Sequence, residues 1–512
     1  MISRIVRSKF LIIVLLIGMI AVIPGEVLAS SQDPDQEGDY VIIGQLLDEQ
    51  DQPVEEAVVT AVAVDGEQVV AEAESLEDGT WRLLLMEVPS GEIQITIEHP
   101  RFNPQTLSLN VNELSDLNNI GLYQVGEIIL NRHINAGFWA ATLIFIGVLL
   151  LIAFEKLHST TAALAGMSAV FIFSYVGGVF DPGFFIFSFE RGLSYINWEV
   201  IFLVMGMMII VAIIEGTGIF QWLSFQAYRL SRGRNWLLVL ILIVITAVAS
   251  ALLDNFTTML LMVPISLQIG LAVGINPLAL IIPEILASNV GGISTLVGTP
   301  TNIIIGAYAR ISFTDFLVNQ TPGVIIALIA LSAYVLFHYR KEFFKESSAI
   351  SPALYERLEE NARLDDPQSL WKSGLVFILV IIGFILGESV HLSPAVPAMI
   401  GATALLIWLQ PDVHKMIIAV DWTTLVFFMA LFVVVGAIQE VGLLGLIATG
   451  MASVIGDNLP LGIFMVVFGV GTISVVVANI PLAAAMLPIV DFLTVLIPGA
   501  DSKVLFYALS MG

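Results

Sequence analysis

The sequence predicts an all-α polytopic membrane protein, an inverted repeat with two re-entrant hairpins and broken helices, preceded by a small extracytoplasmic β-sandwich. Of the 512 residues, 57% are hydrophobic and 12% are charged, and the mean hydropathy is +0.92, which is typical of membrane proteins. Apolar segments of about 18–20 residues, enough to span a bilayer core of about 30 Å, recur from residue 136 onward. From residue 374 the chain repeats its own earlier part at a constant spacing.

The first 29 residues have the pattern of a signal peptide. Basic residues precede an apolar run from Phe10 to Ile23, and Val27-x-Ala29 is a small-residue cleavage pattern. An uncleaved signal anchor is the alternative. Both interpretations place residues 30–130 outside the cytoplasm.

Residues 30–130 are predicted to form an acidic β-sandwich. They contain 21 acidic residues against two basic ones. Five short strand-like runs between Tyr40 and His99 are separated by turn signals. The Gln52-Pro53-Val54 turn, and Asp78-Gly79-Thr80-Trp81 followed by Pro89-Ser90-Gly91, resemble the carboxypeptidase regulatory-like domain. That resemblance implies a domain without chemistry of its own.

From Ala136 the chain is predicted to enter the membrane repeatedly. The predicted crossings are 137–154, 160–178, 198–216, 323–338, 374–388, 395–410 and 422–439. Two pairs of apolar arms, 236–253 with 256–273 and 461–478 with 480–498, and an interrupted segment, 277–308, complete the membrane part. A cytoplasmic loop, 339–373, separates the first transporter repeat, 136–338, from the second, 374–512.

The basic residues give an orientation. With residues 30–130 outside, Lys156, the cluster Arg229–Arg234 and most basic residues of the loop 339–373 fall on the cytoplasmic side, as the positive-inside rule requires. A re-entrant hairpin at 236–273 and two full crossings there fit the charges equally well. The family resemblance given below favours the hairpin.

An internal repeat relates the two halves of the membrane part. A shift of 224 residues superposes identical residues: Trp198 and Trp422, Gly218 and Gly442, Ser250 and Ser474, Asn255 and Asn479, Pro264 and Pro488. An odd number of crossings in the first unit turns the second unit upside down, a plan typical of secondary transporters. Counterparts of Asn289–Asn302 would begin near residue 513, so the second repeat is expected to be C-terminally incomplete.

The stretch Ser250–Asn302 combines polar groups with helix breakers at membrane depth. Asp254 and Asn255 lie in the middle of an apolar region, and a Gly-rich segment ends at Asn302. A centrally placed Asp costs about 2.5–3.5 kcal/mol on insertion scales. Irregular backbone is tolerated there only where protein or a watery cavity satisfies it. These features together predict a site.

The motifs in this stretch resemble the ion transporter superfamily. They are Ser250-Ala-Leu-Leu-Asp-Asn-Phe-Thr-Thr258, Asn289-Val-Gly-Gly292 and Gly298-Thr-Pro-Thr-Asn302. The superfamily includes arsenite permeases (ArsB), NhaD-type sodium/proton antiporters, the P protein and citrate transporter-like symporters. The resemblance covers roughly residues 136–512 and implies an elevator-like transporter with two opposed hairpins and two unwound helices. One departure is Ala478, where the pattern has Asp.

The resemblance also implies site residues. They are Asp254, Asn255, Thr257 and Thr258 at the first hairpin, Asn289, Gly292, Thr295, Gly298, Thr299, Pro300 and Asn302 in the first unwound helix, and Asn479 and Pro481 at the second hairpin. A carboxylate is a hard ligand that suits Na⁺ or a proton, so Asp254, Asn255 and Asn302 are candidate Na⁺ ligands. The alternatives are a helix cap at Asp254, a turn at Asn255 and close packing at the glycines. Glu215 and Glu284, in apolar segments, are candidate relay groups.

The predicted function is a secondary active ion transporter of the plasma membrane, coupled to Na⁺ or H⁺ and carrying a small inorganic ion or a carboxylate. The chain has no cysteine, which excludes disulfides and thiolate metal sites. No enzyme constellation, cofactor motif or nucleic-acid motif is found, and a homodimer is one option for the assembly. The rival within transport is an arsenite or dicarboxylate anion permease. A channel, or a membrane sensor with an extracellular β domain, is the rival of another class.

Overall fold

A computed structural model describes residues 40–48, 53–64, 68–76, 78–87, 91–99, 101–110, 121–344, 355–356, 359–360, 364, 366–390, 392–500 and 503–512. The chain divides into two compact units after Asn131. The predicted signal peptide, residues 1–29, lies outside the described residues. So does much of the predicted cytoplasmic loop.

The first unit contains seven described strands: β1 (Tyr40–Asp48), β2 (Val58–Ala63), β3 (Gln68–Glu74), β4 (Thr80–Leu85), β5 (Ile93–His99), β6 (Phe102–Leu109) and β7 (Leu122–Leu130). They form a three-stranded sheet in the order β4-β1-β7 and a four-stranded sheet in the order β3-β2-β5-β6. Strands β1 and β7 run parallel, and the other pairs are antiparallel.

The two sheets share one apolar core, which makes the unit a sandwich. Alternate residues of β4 and β5 point inward, so that Trp81 and Leu83 of one sheet and Ile95 and Ile97 of the other are buried in the same cluster. Burying each such side chain contributes about 1.5–3 kcal/mol. The two strands that sequence patterns did not predict are β6 and β7. Strand β6 lies at a sheet edge, where its proline and polar residues are tolerated.

The second unit is helical. Its longer described helices are Ala136–Ala153, Ser159–Ile172, Trp198–Glu215, Ile219–Ser231, Asn235–Leu252, Asn255–Val273, Leu278–Gly292, Pro300–Tyr308, Phe313–His338, Pro367–Gly387, Ala395–Leu409, Trp422–Glu440, Leu443–Ile455, Asn479–Leu496 and Val504–Met511. Shorter helices are Phe189–Ser194, Arg340–Phe343 and Val413–Ala419. A further helix, Leu459–Phe464, continues through a π-helical turn, Met465–Gly469, to Val470–Ser474, and Ser159–Ile172 continues through Phe173–Gly177 in the same way.

Nine of the described helices are long and apolar enough to cross a membrane, judged by length and composition. They include both arms of the first predicted hairpin, Asn235–Leu252 and Asn255–Val273. The helix at Pro367–Gly387 begins earlier than the predicted crossing 374–388. Its start has a polar cap, because Asp366 accepts hydrogen bonds from the backbone N–H and the hydroxyl of Ser369. Pro367 then occupies the first helical position, where proline is favoured.

Helix starts follow the 224-residue spacing of the sequence repeat. Trp198–Glu215, Ile219–Ser231, Asn235–Leu252 and Asn255–Val273 begin 224 residues before Trp422–Glu440, Leu443–Ile455, Leu459–Phe464 and Asn479–Leu496. Gly218 and Gly442, with φ of 78° and 84°, precede the second helix of each set in the left-handed region that favours glycine. Pro264 and Pro488 lie inside the fourth helix of each set, at matching positions.

Candidate functional site

A cavity of about 940 Å³ inside the helical unit collects most of the predicted site residues. Three irregular segments meet around it. The first tip is Leu253–Asp254, between the two arms of the first predicted hairpin, and the second tip is Val475–Ala478, between Leu459–Ser474 and Asn479–Leu496. The first break is Ile293–Thr299, between Leu278–Gly292 and Pro300–Tyr308. The predicted residues that line the cavity are Asp254, Asn255, Thr257, Asn289, Thr299, Pro300, Asn302, Asn479, Pro481 and Glu215.

Asp254 caps the second arm and is half-buried at the cavity wall. Its Oδ1 accepts from the Thr257 backbone N–H at 2.8 Å, and its Oδ2 accepts from the Thr257 hydroxyl at 2.6 Å. An ionised carboxylate offers about four acceptor sites. The cap therefore leaves Asp254 able to accept a further donor or to bind a cation from the cavity.

The same capping arrangement occurs at two other aspartates. Asp421 accepts from the backbone N–H and the hydroxyl of Thr424, and Asp366 is bonded to Ser369 in the same way. Asp421 lines the cavity, whereas Asp366 does not. The cap is thus a recurrent local solution, and the cavity distinguishes Asp254 from an ordinary capping residue.

Asn255 joins the first tip to the helix before the break. Its Nδ2 donates to Asn289 Oδ1 at 3.0 Å. Its backbone carbonyl accepts from the Ser288 hydroxyl at 3.2 Å, and Ser288 also donates to Ser250 Oγ at 3.1 Å. These bonds fix the tip to Leu278–Gly292, so the two elements form one polar surface of the cavity.

Asn302 organises the backbone of the first break. It is buried, and its Nδ2 donates to the carbonyls of Gly292 and Thr295, each at 3.0 Å. A Cβ on Gly298 would lie 2.3 Å from the Gly292 carbonyl oxygen, so only glycine fits this approach. Thr299 caps the following helix by accepting from the Asn302 N–H at 3.1 Å. The break is therefore a folded structure with satisfied polar groups.

The second tip has a different polar character. Ala478 occupies the cap position of Asn479–Leu496 and offers no side-chain acceptor. Asn479 and Pro481 line the cavity from this side. The C-terminal helix also reaches the site, because the Ser510 hydroxyl donates to Asn302 Oδ1 at 3.0 Å.

Five predicted residues do not line the cavity. Thr258 is fully buried behind the first tip, and Thr295 donates its hydroxyl to the Ala251 carbonyl. Gly292 and Gly298 pack against each other inside the break. Glu284 is fully buried between helices. The first four residues support the shape of the site, and Glu284 is a separate feature.

Residues that sequence reasoning did not single out form another part of the cavity wall. They are His158, Ser159, Thr160, Asp421, Thr423 and Thr424. The Thr160 hydroxyl donates to the Thr423 carbonyl at 2.9 Å, which joins the two segments. The spacing of Asp421 and Thr424 repeats that of Asp254 and Thr257, a signal that could have identified them.

The cavity is lined by acidic but not by basic side chains. Among the described lining residues, the carboxylates are Glu215, Asp254 and Asp421, and there is no lysine or arginine. His158 is the further titratable group. Three carboxylates without a balancing cation favour positive charge in the cavity.

The three candidate Na⁺ ligands lie in the same cavity but are held by different partners. Asn255 is bonded to Asn289, and Asn302 Oδ1 accepts from Ser510. Asp254 retains acceptor capacity at its tip, and carboxylate oxygens are hard ligands suited to Na⁺. The described residues contain no group of three or more His, Cys, Asp or Glu that could hold a metal ion. The donor set therefore fits a monovalent cation carried as substrate better than a resident metal.

Apolar helices around a buried polar cavity define the chain as a multi-pass membrane transporter. A statistical model of the citrate transporter family (CitMHS) matches residues 149–512. The chain therefore belongs to the citrate transporter family, as the resemblance indicated. The family and the relatives below are transporters rather than enzymes.

Several relatives are similar over most of the membrane part. An uncharacterised transporter of Mycobacterium bovis is 34% identical over 373 residues, 73% of this chain and 85% of the relative. The 46 kDa membrane protein of Mycobacterium leprae is 35% identical over 374 residues, with the same two shares. The P protein of Homo sapiens is 30% identical over 427 residues, 68% of this chain and 50% of the relative.

Proposed function

We propose that this transporter is a secondary active carrier that exchanges a monovalent cation, Na⁺ in the first instance, against protons. The carboxylates Glu215, Asp254 and Asp421 in a cavity without lysine or arginine among its described lining residues support this proposal. Burial disfavours an ionised carboxylate, and a bound cation restores it. A carboxylate at the first tip can therefore release a proton as it takes up a cation.

We assign Asp254 the central role in binding. It lies at the first tip, where two arms, the break and the second tip converge. Asn255, Asn289 and Asn302 supply amide groups around it, and Asn479 and Pro481 complete the opposite wall. Glu215, at the end of Trp198–Glu215, is the nearest candidate for passing protons along the wall.

The tips are proposed to be re-entrant hairpins in two inverted halves. Both tips line one cavity, which supports hairpin turns that meet inside the membrane. Two full crossings would bring each tip to a membrane surface. Matching helix starts at the 224-residue spacing support the repeat. Movement of both hairpins against a scaffold of outer helices would be elevator-like.

The cavity is proposed to face the cytoplasm. By the positive-inside rule, Lys156 and the cluster Arg229–Arg234 lie in the cytoplasm. His158 and Thr160 line the cavity and follow Lys156 directly in the chain. The described arrangement is then an inward-facing state, with residues 30–130 outside.

Flux measurements test the proposed function. Purified protein in proteoliposomes is expected to take up Na⁺ when a proton gradient is imposed, with protons moving in the opposite direction. Uptake of citrate and arsenite is measured in parallel. Uptake of citrate or arsenite that needs neither Na⁺ nor a proton gradient would contradict the proposal.

An anion permease is the second candidate function. Three helix N-termini, at Asn255, Pro300 and Asn479, line the cavity, and helix N-termini favour anions. The second tip, where Ala478 provides no carboxylate, is the side where this field is not offset. A carboxylate substrate would bind there, and the family name is in keeping with such a cargo.

A further inference from the structure

A second carboxyl group lies in the helical unit, away from the cavity. Glu284, in Leu278–Gly292, is fully buried. Its Oε1 accepts from the Ser266 hydroxyl of the second arm at 2.6 Å. Its Oε2 is also buried, and no donor among the described residues lies within hydrogen-bond distance.

The surrounding elements offer no positive charge at this depth. Leu278–Gly292 packs against Asn235–Leu252, Asn255–Val273 and Phe313–His338. Their charged and titratable groups lie at or beside the helix ends: Arg234, Asp254, Asp315, His338 and Arg340. Glu284 itself lies in the middle of its helix, among apolar side chains such as Leu280 and Ala287.

An isolated ionised carboxylate is very costly in such surroundings. Either a proton or a metal ion must neutralise it. A metal ion needs several oxygen ligands, and Ser266 Oγ is the one described side-chain oxygen bonded to Glu284. A proton requires no such shell and leaves the bond to Ser266 intact.

The helix that carries Glu284 also carries part of the cavity wall. Ser288 and Asn289, which bind the first tip, lie four and five residues further along, about 6–7.5 Å at 1.5 Å per residue. Any movement that opens the Glu284–Ser266 contact to water therefore also moves the partners of Asn255.

We propose that Glu284 is a proton-binding residue of the transport cycle, separate from the cavity carboxylates, which holds its proton while Leu278–Gly292 is packed against the second arm. The proton leaves when the helix and the arm separate and water reaches the carboxyl group. This inference rests on the proposed proton-coupled function and adds a second proton-carrying position to it.

The test uses Glu284→Gln in the full chain. Glutamine has nearly the same shape as the neutral acid and can keep the contact with Ser266, so folding is expected to be retained. Glu155→Gln, at an exposed loop position outside the cavity lining, is the matched control. Proteoliposomes give the cargo flux and the proton flux together, and infrared spectra of the purified proteins report the carbonyl band of protonated carboxylic acids.

The wild-type protein and Glu155→Gln are expected to show the same carbonyl band and the same ratio of protons to Na⁺. Glu284→Gln is expected to lose that band and to lose proton-driven accumulation of Na⁺, while Na⁺/Na⁺ exchange persists. An unchanged band, or an unchanged proton-to-Na⁺ ratio in Glu284→Gln, would overturn the assignment. Wild-type flux without any proton movement would instead overturn the proposed coupling itself.

Discussion

Asn255 Nδ2 donates a hydrogen bond to Asn289 Oδ1 across 3.0 Å, and this bond joins the first tip to the helix that precedes the break. The two residues are 34 positions apart in the chain. Both line the cavity. One side-chain pair thus links the two irregular segments on which the proposed site depends, and substitutions on either side of it give sharp tests.

Asp254→Asn is expected to abolish proton-coupled Na⁺ uptake in proteoliposomes, because the amide cannot titrate or balance a cation. Asp and Asn are about equally good helix caps, so the melting temperature should stay close to that of the wild type. Asp366→Asn is the control, since Asp366 has the same capping bonds outside the cavity. Equal transport by both variants would reduce Asp254 to a cap.

Asn302→Ala is expected to destabilise the helical unit by about 1–3 kcal/mol, the penalty for leaving buried polar groups unpaired. The carbonyls of Gly292 and Thr295 would lose their donor. Thermal melting in detergent measures the effect. Asn319→Ala is the comparison, because Asn319 donates to the Asp315 carbonyl at an exposed position. Similar melting of both variants would show that Asn302 does not hold the break.

Gly298→Ala is expected to be destabilising by about 1–3 kcal/mol through overpacking, with loss of transport, since the added Cβ would meet the Gly292 carbonyl at 2.3 Å. Gly374→Ala is the matched control, because no atom lies within 4 Å of a Cβ there. Alanine is favoured over glycine in a helix by up to about 1 kcal/mol. The prediction fails if Gly298→Ala melts and transports like Gly374→Ala.

Thiol labelling tests the re-entrant tip and the cytoplasmic opening. The chain has no cysteine, so single cysteines report without background. Phe256→Cys, at a side chain that is 76% exposed beside the first tip, should react with a membrane-impermeant reagent from the cytoplasmic side only. Phe180→Cys, at 84% exposure, should react only from outside. Labelling of residue 256 from outside would contradict the orientation, the hairpin or both.

Deletion of residues 31–128 is expected to leave transport largely intact. The chain divides into compact units after Asn131, the β-sandwich has a core of its own, and the cavity is lined only by residues of the helical unit. Na⁺ flux at matched protein abundance in proteoliposomes is the measurement. Loss of flux in a correctly inserted protein would assign the β-sandwich a role in transport.

Hydropathy and caps made the helices predictable to within a few residues where segments are apolar. The helices Ile219–Ser231 and Leu443–Ile455 were not predicted, because each has only 13 residues and is too short to read as a crossing. The polar motif at Asp254 was predictable, since charge at membrane depth is rare.

The division of site residues between cavity and interior was not predictable from the motifs. Thr257 and Thr258 are neighbours in sequence, yet one lines the cavity and the other is fully buried, since helix rotation depends on packing. The wall at Thr160 and Thr423 was also missed. Residues 263 positions apart meet there through tertiary structure alone.

Pro264 and Pro488 lie at matching positions in the arms that follow the two tips. Each proline lacks the N–H that would bond to the carbonyl four residues earlier, at Leu260 and at Ala484. Bending at these points breaks no backbone hydrogen bond that the helix would otherwise have, and kinks in helices commonly form at proline. Both arms therefore contain a built-in flexure at the same distance from their tips, so each tip can swing while the rest of its arm stays anchored.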